Sequence, residues 1–329
     1  MHDYCCFLSA PFLATDPQQW KATHTLPIRA VEGVLFNRAD LDPNPWKICW
    51  QILAKAIAYH GEGNVVFHFP VNDCNYLDDA YVYQRLCEGF QRCCDLGCRG
   101  MVVHSNQVRP IFAWGAVDIS GLQRRVIDTL QTVHATTPGS KGRWIGLENM
   151  PLMDNNAVEI DPIFSFITDF TSLRQADGVG ITWDICHYTN TICNLQQVRD
   201  GKQSVQWYPH LRDAQWLDFI SLESHIVHWH FSAFQGIANP GLMRRCQEGV
   251  HPFLSTLGEP LYAHILEVIF RLPMQDRLIT LEIQEENYQF RKNFLATAAW
   301  VETVFHHYAS NLEHSASEDL HTSFPGEPS

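Results

Sequence analysis

The chain has 329 residues, 46% of them apolar and 12% aromatic, and a formal charge of -13. This composition can fill a large core, which excludes disorder over the whole length. The acidic balance favours solubility and disfavours non-specific attraction to nucleic-acid backbones without excluding nucleic acid as a partner.

In chain order, residues 4–10 (Y-C-C-F-L-S-A) read as a first strand, 16–23 as a short helix and 30–37 as a second strand. D-L-D-P-N-P at 40–45 is a turn. Trp46, Cys49, Ile52, Leu53 and Ala56 have helical spacing and predict a helix over 46–59, which G-E-G at 61–63 ends. The third strand is 64–71. Asp78 and Asp79 stand where carboxylates favour a helix N-terminus, and Val82, Leu86, Phe90 and Cys93 follow on one face. A fourth strand (100–106), a helix (120–134) and a fifth strand (143–150) come next. Pro162 in a first-turn position predicts a helix over 161–176. The sixth strand is 179–187 (V-G-I-T-W-D-I-C-H), and 194–214 is polar without a clear period. A seventh strand (226–234), a long Gly- and Pro-rich loop, a helix (260–270), an eighth strand (277–284) and a closing helix (293–308) complete the series. Alternating strands and helices imply a parallel sheet. Eight repeats favour a closed (β/α)8 TIM barrel over an open doubly wound sheet, as one domain over 1–309. The tail 310–329 is rich in Ser, Glu, His and Pro and is expected to be disordered.

Eleven cysteines, an odd number without C-x-x-C, read as reduced and mostly buried thiols of a cytoplasmic protein. Cys87, Cys93, Cys94 and Cys98 could hold a metal or an Fe–S cluster, but three of them lie in a predicted helix whose inner face they would help fill. No charged segment followed by a long apolar core opens the chain, so no signal peptide is expected. No apolar run approaches the ~20 residues of a membrane helix.

The strand ends carry the chemistry. In a parallel α/β barrel the C-terminal ends of all strands form one face, where active sites sit. Here successive predicted strands end in His68, His104, Glu148, Asp184, His230 and Glu282. One such residue is ordinary, since a lone histidine is more often a hydrogen-bonded structural group. Six at successive strand ends point to a metal site. Glu148, Asp184, His230 and Glu282 offer three carboxylates and an imidazole, a set that suits Mn, Zn, Co or Mg. His228 and His225 compete with His230 for its place. His187 is expected to hold substrate, join a second ion or support the first from behind. Trp114, Trp183, Tyr188 and Trp229 lie near these ends, either to cover a sugar face or simply to pack.

These motifs, L-E-N at 147–149, W-D-I-C-H at 183–187, H-W-H-F at 228–231 and L-E-I at 281–283, in this order, resemble those of the xylose-isomerase-like TIM barrels. That superfamily contains endonuclease IV and sugar isomerases and epimerases. The resemblance runs over 4–308, and Gly258-Glu259 resembles part of a loop after strand seven. It implies Glu148, Asp184, His230 and Glu282 as shared metal ligands, with His68, His104, His187 and His251 as additional ligands in the three-zinc arrangement of endonuclease IV. The family acid two residues before the last histidine is Gly249 here, and the acid closing the strand-seven motif is replaced near Ala233. The arginine that related epimerases carry after the strand-seven histidine is absent from 231–240.

The expected activity is therefore a divalent-metal-dependent isomerase or epimerase of a sugar-like carbonyl compound, with Glu148 and Glu282 exchanging the proton and His187 orienting the substrate. The alternatives are an endonuclease IV-like zinc phosphodiesterase acting on abasic DNA and a metal-binding barrel without catalysis.

Overall fold

The computed structural model describes residues 7–153, 158–175, 177–207, 211–272 and 277–321. Eight parallel strands close into a barrel: β1 (Leu8–Leu13), β2 (Ala30–Val34), β3 (Val65–His68), β4 (Gly100–Val103), β5 (Trp144–Glu148), β6 (Val179–Asp184), β7 (Ile226–Phe231) and β8 (Ile279–Leu281). Each strand pairs with its neighbour in the chain, and β8 returns to β1 with Leu8 opposite Ile279. The fold is the (β/α)8 TIM barrel expected from the alternation. Residues 4–6 of the expected first strand lie outside the described residues. β1 instead runs on through Pro11, because β8 pairs only with Leu8 and Ser9 and demands no N–H from the proline.

Around the barrel run α1 (Pro17–Ala22), α2 (Pro43–His60), α3 (Ala80–Leu96), α4 (Ile119–Thr136), α5 (Ile185–Arg199), α6 (Glu259–Arg271) and α7 (Lys292–His321). The apolar stripe of α2 faces the strands: Trp46, Cys49, Trp50 and Leu53 are buried, and the Trp50 ring centroid lies 4.9 Å from that of Phe67 on β3. Full burial of one such side chain contributes about 1.5–3 kcal/mol. The Asp79 carboxylate caps α3 by accepting from the N–H groups of Tyr81 (2.9 Å) and Val82 (3.2 Å). Gly97 ends that helix at φ 84, in the left-handed region. Cys93 and Cys98 are buried in the main core, and Cys87 and Cys94 pack against it.

Four elements differ from expectation. Among the described residues of 161–176 no α-helix forms; Ile167–Gln175 is 3-10, and the segment before it is held by the buried Asp161 carboxylate, which accepts from the Ser105 hydroxyl (2.6 Å) and the Gln107 N–H (2.8 Å). Satisfying that loop takes the aspartate away from a helix start. The sixth strand stops at Asp184, because its carboxylate accepts from the His187 N–H at 2.6 Å and starts α5, which also takes in the first part of the polar stretch 194–214. β7 stops at Phe231, and the loop beyond folds back as an antiparallel hairpin of Ala233–Gln235 on Gln247–Val250. The closing helix does not end at 308 but runs over Lys292–His321; 322–329 lie outside the described residues.

The barrel interior is layered. A small cluster separate from the main core, Ala30, Val66, Val102 and Leu278 with Trp144 against it, is apolar. Trp144 also stacks on His228, ring centroids 5.6 Å apart, where the polar part of the interior begins. Among the described residues, no helix is long and apolar enough to cross a membrane.

Candidate metal centre

Barrel register sets the site. Asp184 is the Cα partner of His230, Thr280 of the same His230, and Glu148 of Thr182, so the ends of β5 to β8 deliver their side chains at one level. Asn149, the residue after Glu148, locks two of these ends together. Its side-chain carbonyl accepts from the Asp184 N–H (2.6 Å), and its amide donates to the Asp184 carbonyl (3.0 Å).

Glu148 is the hub and is 1% exposed. Its Oε1 lies 3.1 Å from His230 Nδ1 and 3.4 Å from His187 Nδ1, and its Oε2 lies 3.1 Å from His68 Nε2 and 3.0 Å from His104 Nε2. His230 Nδ1 also stands 3.4 Å from Glu282 Oε1 and 3.9 Å from Asp184 Oδ2. Two donor sets therefore share Glu148: Glu148, Asp184, His230 and Glu282 on one side, and His68, His104 and Glu148 on the other, each with its ligand atoms within 4.8 Å of one another. The structure thus gathers seven of the eight residues singled out from the sequence, His187 included. The donor chemistry fits a divalent cation, since three carboxylates at this depth repel one another unless positive charge lies between them. His68 Nδ1 is 2.8 Å from the Phe69 carbonyl, which accepts its N–H and fixes the ring with Nε2 turned to Glu148 Oε2.

His251 is not brought to this cluster. Its Nδ1 accepts from the Phe253 N–H (3.0 Å), and its ring lies 6.0 Å from that of Trp300. Gly249 sits at φ 74, and a Cβ there would come within 2.7 Å of Gln284 Cγ, so the hairpin backbone has no room for the expected acid. The adjacent Glu248 lines the cavity instead, its Oε2 4.0 Å from His187 Nε2. Ala233 is buried in the hairpin. Trp114, Trp183, Tyr188 and Trp229 are all fully buried and belong to the packing, not to the cavity wall.

Two acids escaped the sequence reading. Glu248 was hidden by the unforeseen hairpin. Glu32 lies mid-strand on β2, away from the strand's C-terminal end; it is 0% exposed and touches both His228 and His230. Its one sequence signal was a charge inside an apolar run, A-V-E-G-V.

The charges are strongly perturbed. Burial would raise the Glu148 carboxyl, but His230 and His104 hold it well below the usual carboxylate range. Burial and the neighbouring acids Glu148, Asp184 and Glu32 push Glu282 up to about 8, against the pull of His230. Burial disfavours charge on His187, yet Asp184, Glu248 and Glu148 raise its pKa to about 10. Burial likewise opposes charge on His68, where Glu148 outweighs it, whereas at His104 burial prevails.

Above the cluster opens a cavity of about 420 Å³. Its deep wall is formed by Glu148, Asp184, His187 and Glu282, and its outer wall includes Phe36, Val71, Val108, Met150 and Tyr288. No lysine or arginine is among the described residues that line it.

No protein-family model matches the sequence, and no curated protein sequence does. Solved structures match over nearly the whole chain. An L-ribulose 3-epimerase superposes with a TM-score of 0.55 at 17% identity, covering 98% of this chain and 99% of its own. Endonuclease IV from Thermus thermophilus gives 0.54 at 15% identity over 90% and 99%. The IOLI protein, solved with a bound zinc atom, gives 0.54 at 12% identity over 93% and 98%. The fold is that of the xylose-isomerase-like TIM barrels. Its structural neighbours are mostly enzymes, and they include sugar epimerases as well as endonuclease IV.

Proposed function

We propose that the protein is a divalent-metal-dependent isomerase or epimerase of a small, uncharged, sugar-like carbonyl compound. The observation that carries this reading is the pair of carboxylates, Glu148 and Glu282, set 3.1 and 3.4 Å from one imidazole nitrogen at the foot of a cavity with no lysine or arginine among the described residues that line it. Glu148, Asp184, His230 and Glu282 would hold the ion, of Mn or Zn type. Bound there, it polarises a substrate carbonyl and acidifies the neighbouring C–H. One glutamate removes that proton and the other returns it. His187, fixed by the Asn149 carbonyl at 2.8 Å, donates to a substrate oxygen and orients it. A cavity of about 420 Å³ lies in the range of small-molecule sites, and the absence of Lys and Arg disfavours a phosphorylated ligand.

A second reading, a zinc phosphodiesterase of abasic DNA, is favoured by His68 and His104 on the far oxygen of Glu148, a second donor set. The two readings separate by assay. With Mn or Zn bound and a panel of ketoses in D2O, the expected result is deuterium uptake at the carbon beside the carbonyl, abolished in Glu282→Gln. No exchange on any ketose, together with cleavage of an abasic duplex, transfers the function to the second reading. Neither activity in fully metal-loaded protein leaves a non-catalytic barrel.

A further inference from the structure

Glu32 is a carboxylate in the barrel interior, mid-strand on β2, with an oxygen within 4.8 Å of the donor atoms of His68, His230 and Glu282. It is 0% exposed, as are His228 and His230. An acid at such a depth is costly to retain, and an apolar side chain would fill the space at lower cost. Its oxygens are accounted for. Oε2 accepts from the Thr280 hydroxyl (2.6 Å) and from His228 Nε2 (2.8 Å), and Oε1 lies 3.1 Å from His230 Nε2. The imidazole of His230 is thereby held between two kinds of partner. Nε2 points to Glu32, and Nδ1 points to Glu148, Glu282 and Asp184.

We propose that Glu32 is a positioning residue for the metal centre: it accepts the Nε2–H of His230, fixing the ring and its tautomer so that the Nδ1 lone pair faces the ion site. Carboxylate–imidazole–metal relays of this kind orient the ring and raise its basicity. Thr280 and His228 in turn hold the Glu32 carboxylate, so the orientation of one ligand is set by three strands, β2, β7 and β8. The metal-free chain has no other described hydrogen-bond acceptor within reach of His230 Nε2.

This inference rests on the metal-site reading above, and the experiment keeps the two apart. Mn2+ alone is titrated into the full chain and followed by calorimetry for wild type, Glu32→Gln, Glu32→Asp and Glu148→Gln. Proton–nitrogen correlation spectra of the histidines are recorded on metal-free protein. Glu32→Gln keeps the shape but cannot accept all three donors. The expected outcome is a Mn2+ Kd weakened roughly ten- to a hundred-fold with the stoichiometry kept, and loss of the Nε2–H tautomer signal of His230 present in wild type. Glu32→Asp, which keeps the charge on a shorter stem, should fall between the two. If Glu32→Gln does not fold, the Asp variant carries the test. A folded Glu32 variant with wild-type Mn2+ affinity overturns the proposal, and so does a wild-type His230 that carries no proton on Nε2. In both cases the Glu148-centred site stands so long as Glu148→Gln loses its ion. A wild-type chain that takes up no divalent cation overturns both.

Discussion

At the residue scale the site turns on a single carboxylate. Glu148 presents one oxygen to His230 and the other to His68 and His104, so it belongs to both donor sets. His104 belongs to only one. Two substitutions therefore predict different stoichiometries. Glu148→Gln should lose every tightly bound ion while the circular dichroism of the folded barrel is kept. His104→Gln should retain one ion per chain, held by Glu148, Asp184, His230 and Glu282, with affinity changed by less than about tenfold, inside the range of a supporting contact. Metal analysis after gel filtration checks both. Normal metal content in Glu148→Gln would remove that residue from the centre. Loss of all metal in His104→Gln would mean that the two sets bind only as one unit.

At the element scale, most of the architecture could be read from the chain because most strands announce themselves as short apolar runs, six of them closed by a His, Asp or Glu, and most helices as a stripe. Asp79 before Val82, Leu86 and Phe90 is such a case: cap, stripe and boundary all agree. The pattern is silent where a side chain works against its own element. Asp161 holds a loop and leaves only a 3-10 segment behind it, and Asp184 turns a strand into a helix three residues early. Glu32 was illegible because its partners, His228 and Thr280, are brought to it only by barrel closure, 196 and 248 residues away. The hairpin after β7 was likewise unreadable as two short strands, yet it decides the fate of the expected third-ion residues. Restoring the absent acid there should therefore fail. Gly249→Asp puts a side chain at φ 74 and against Gln284, so it should destabilise the fold by about 1–3 kcal/mol and bind no additional ion, since His251 is engaged with the Phe253 N–H. Thermal melts and zinc analysis of that variant decide the matter. An extra ion at wild-type stability would mean that the hairpin is free to rearrange.

On the scale of the whole molecule, folding, protons and metal are linked through the buried acids. Glu282 has its pKa raised to about 8 in the folded chain, chiefly by burial, with Glu148, Asp184 and Glu32 adding to it. A carboxyl raised above its unfolded value stabilises the fold while it is protonated. That contribution is present at and below the ordinary carboxylate range and is lost as pH rises toward about 8. Metal-free protein should therefore melt at progressively lower temperature between pH 5 and 8, to the extent that Glu282 dominates in that window. A divalent ion competes for the same oxygen and must displace the proton. Its apparent affinity should rise with pH between 6 and 8, with proton release measurable in weakly buffered solution. The gain in Tm on adding Mn2+ at fixed excess should accordingly be larger at pH 8 than at pH 6, since ligand stabilisation grows with the ratio of free ion to Kd. In Glu282→Gln the pH dependence of that gain should flatten. A gain that is the same at both pH values in wild type would mean that Glu282 is already ionised in the metal-free fold, and that the acids around it are neutralised from elsewhere in the barrel.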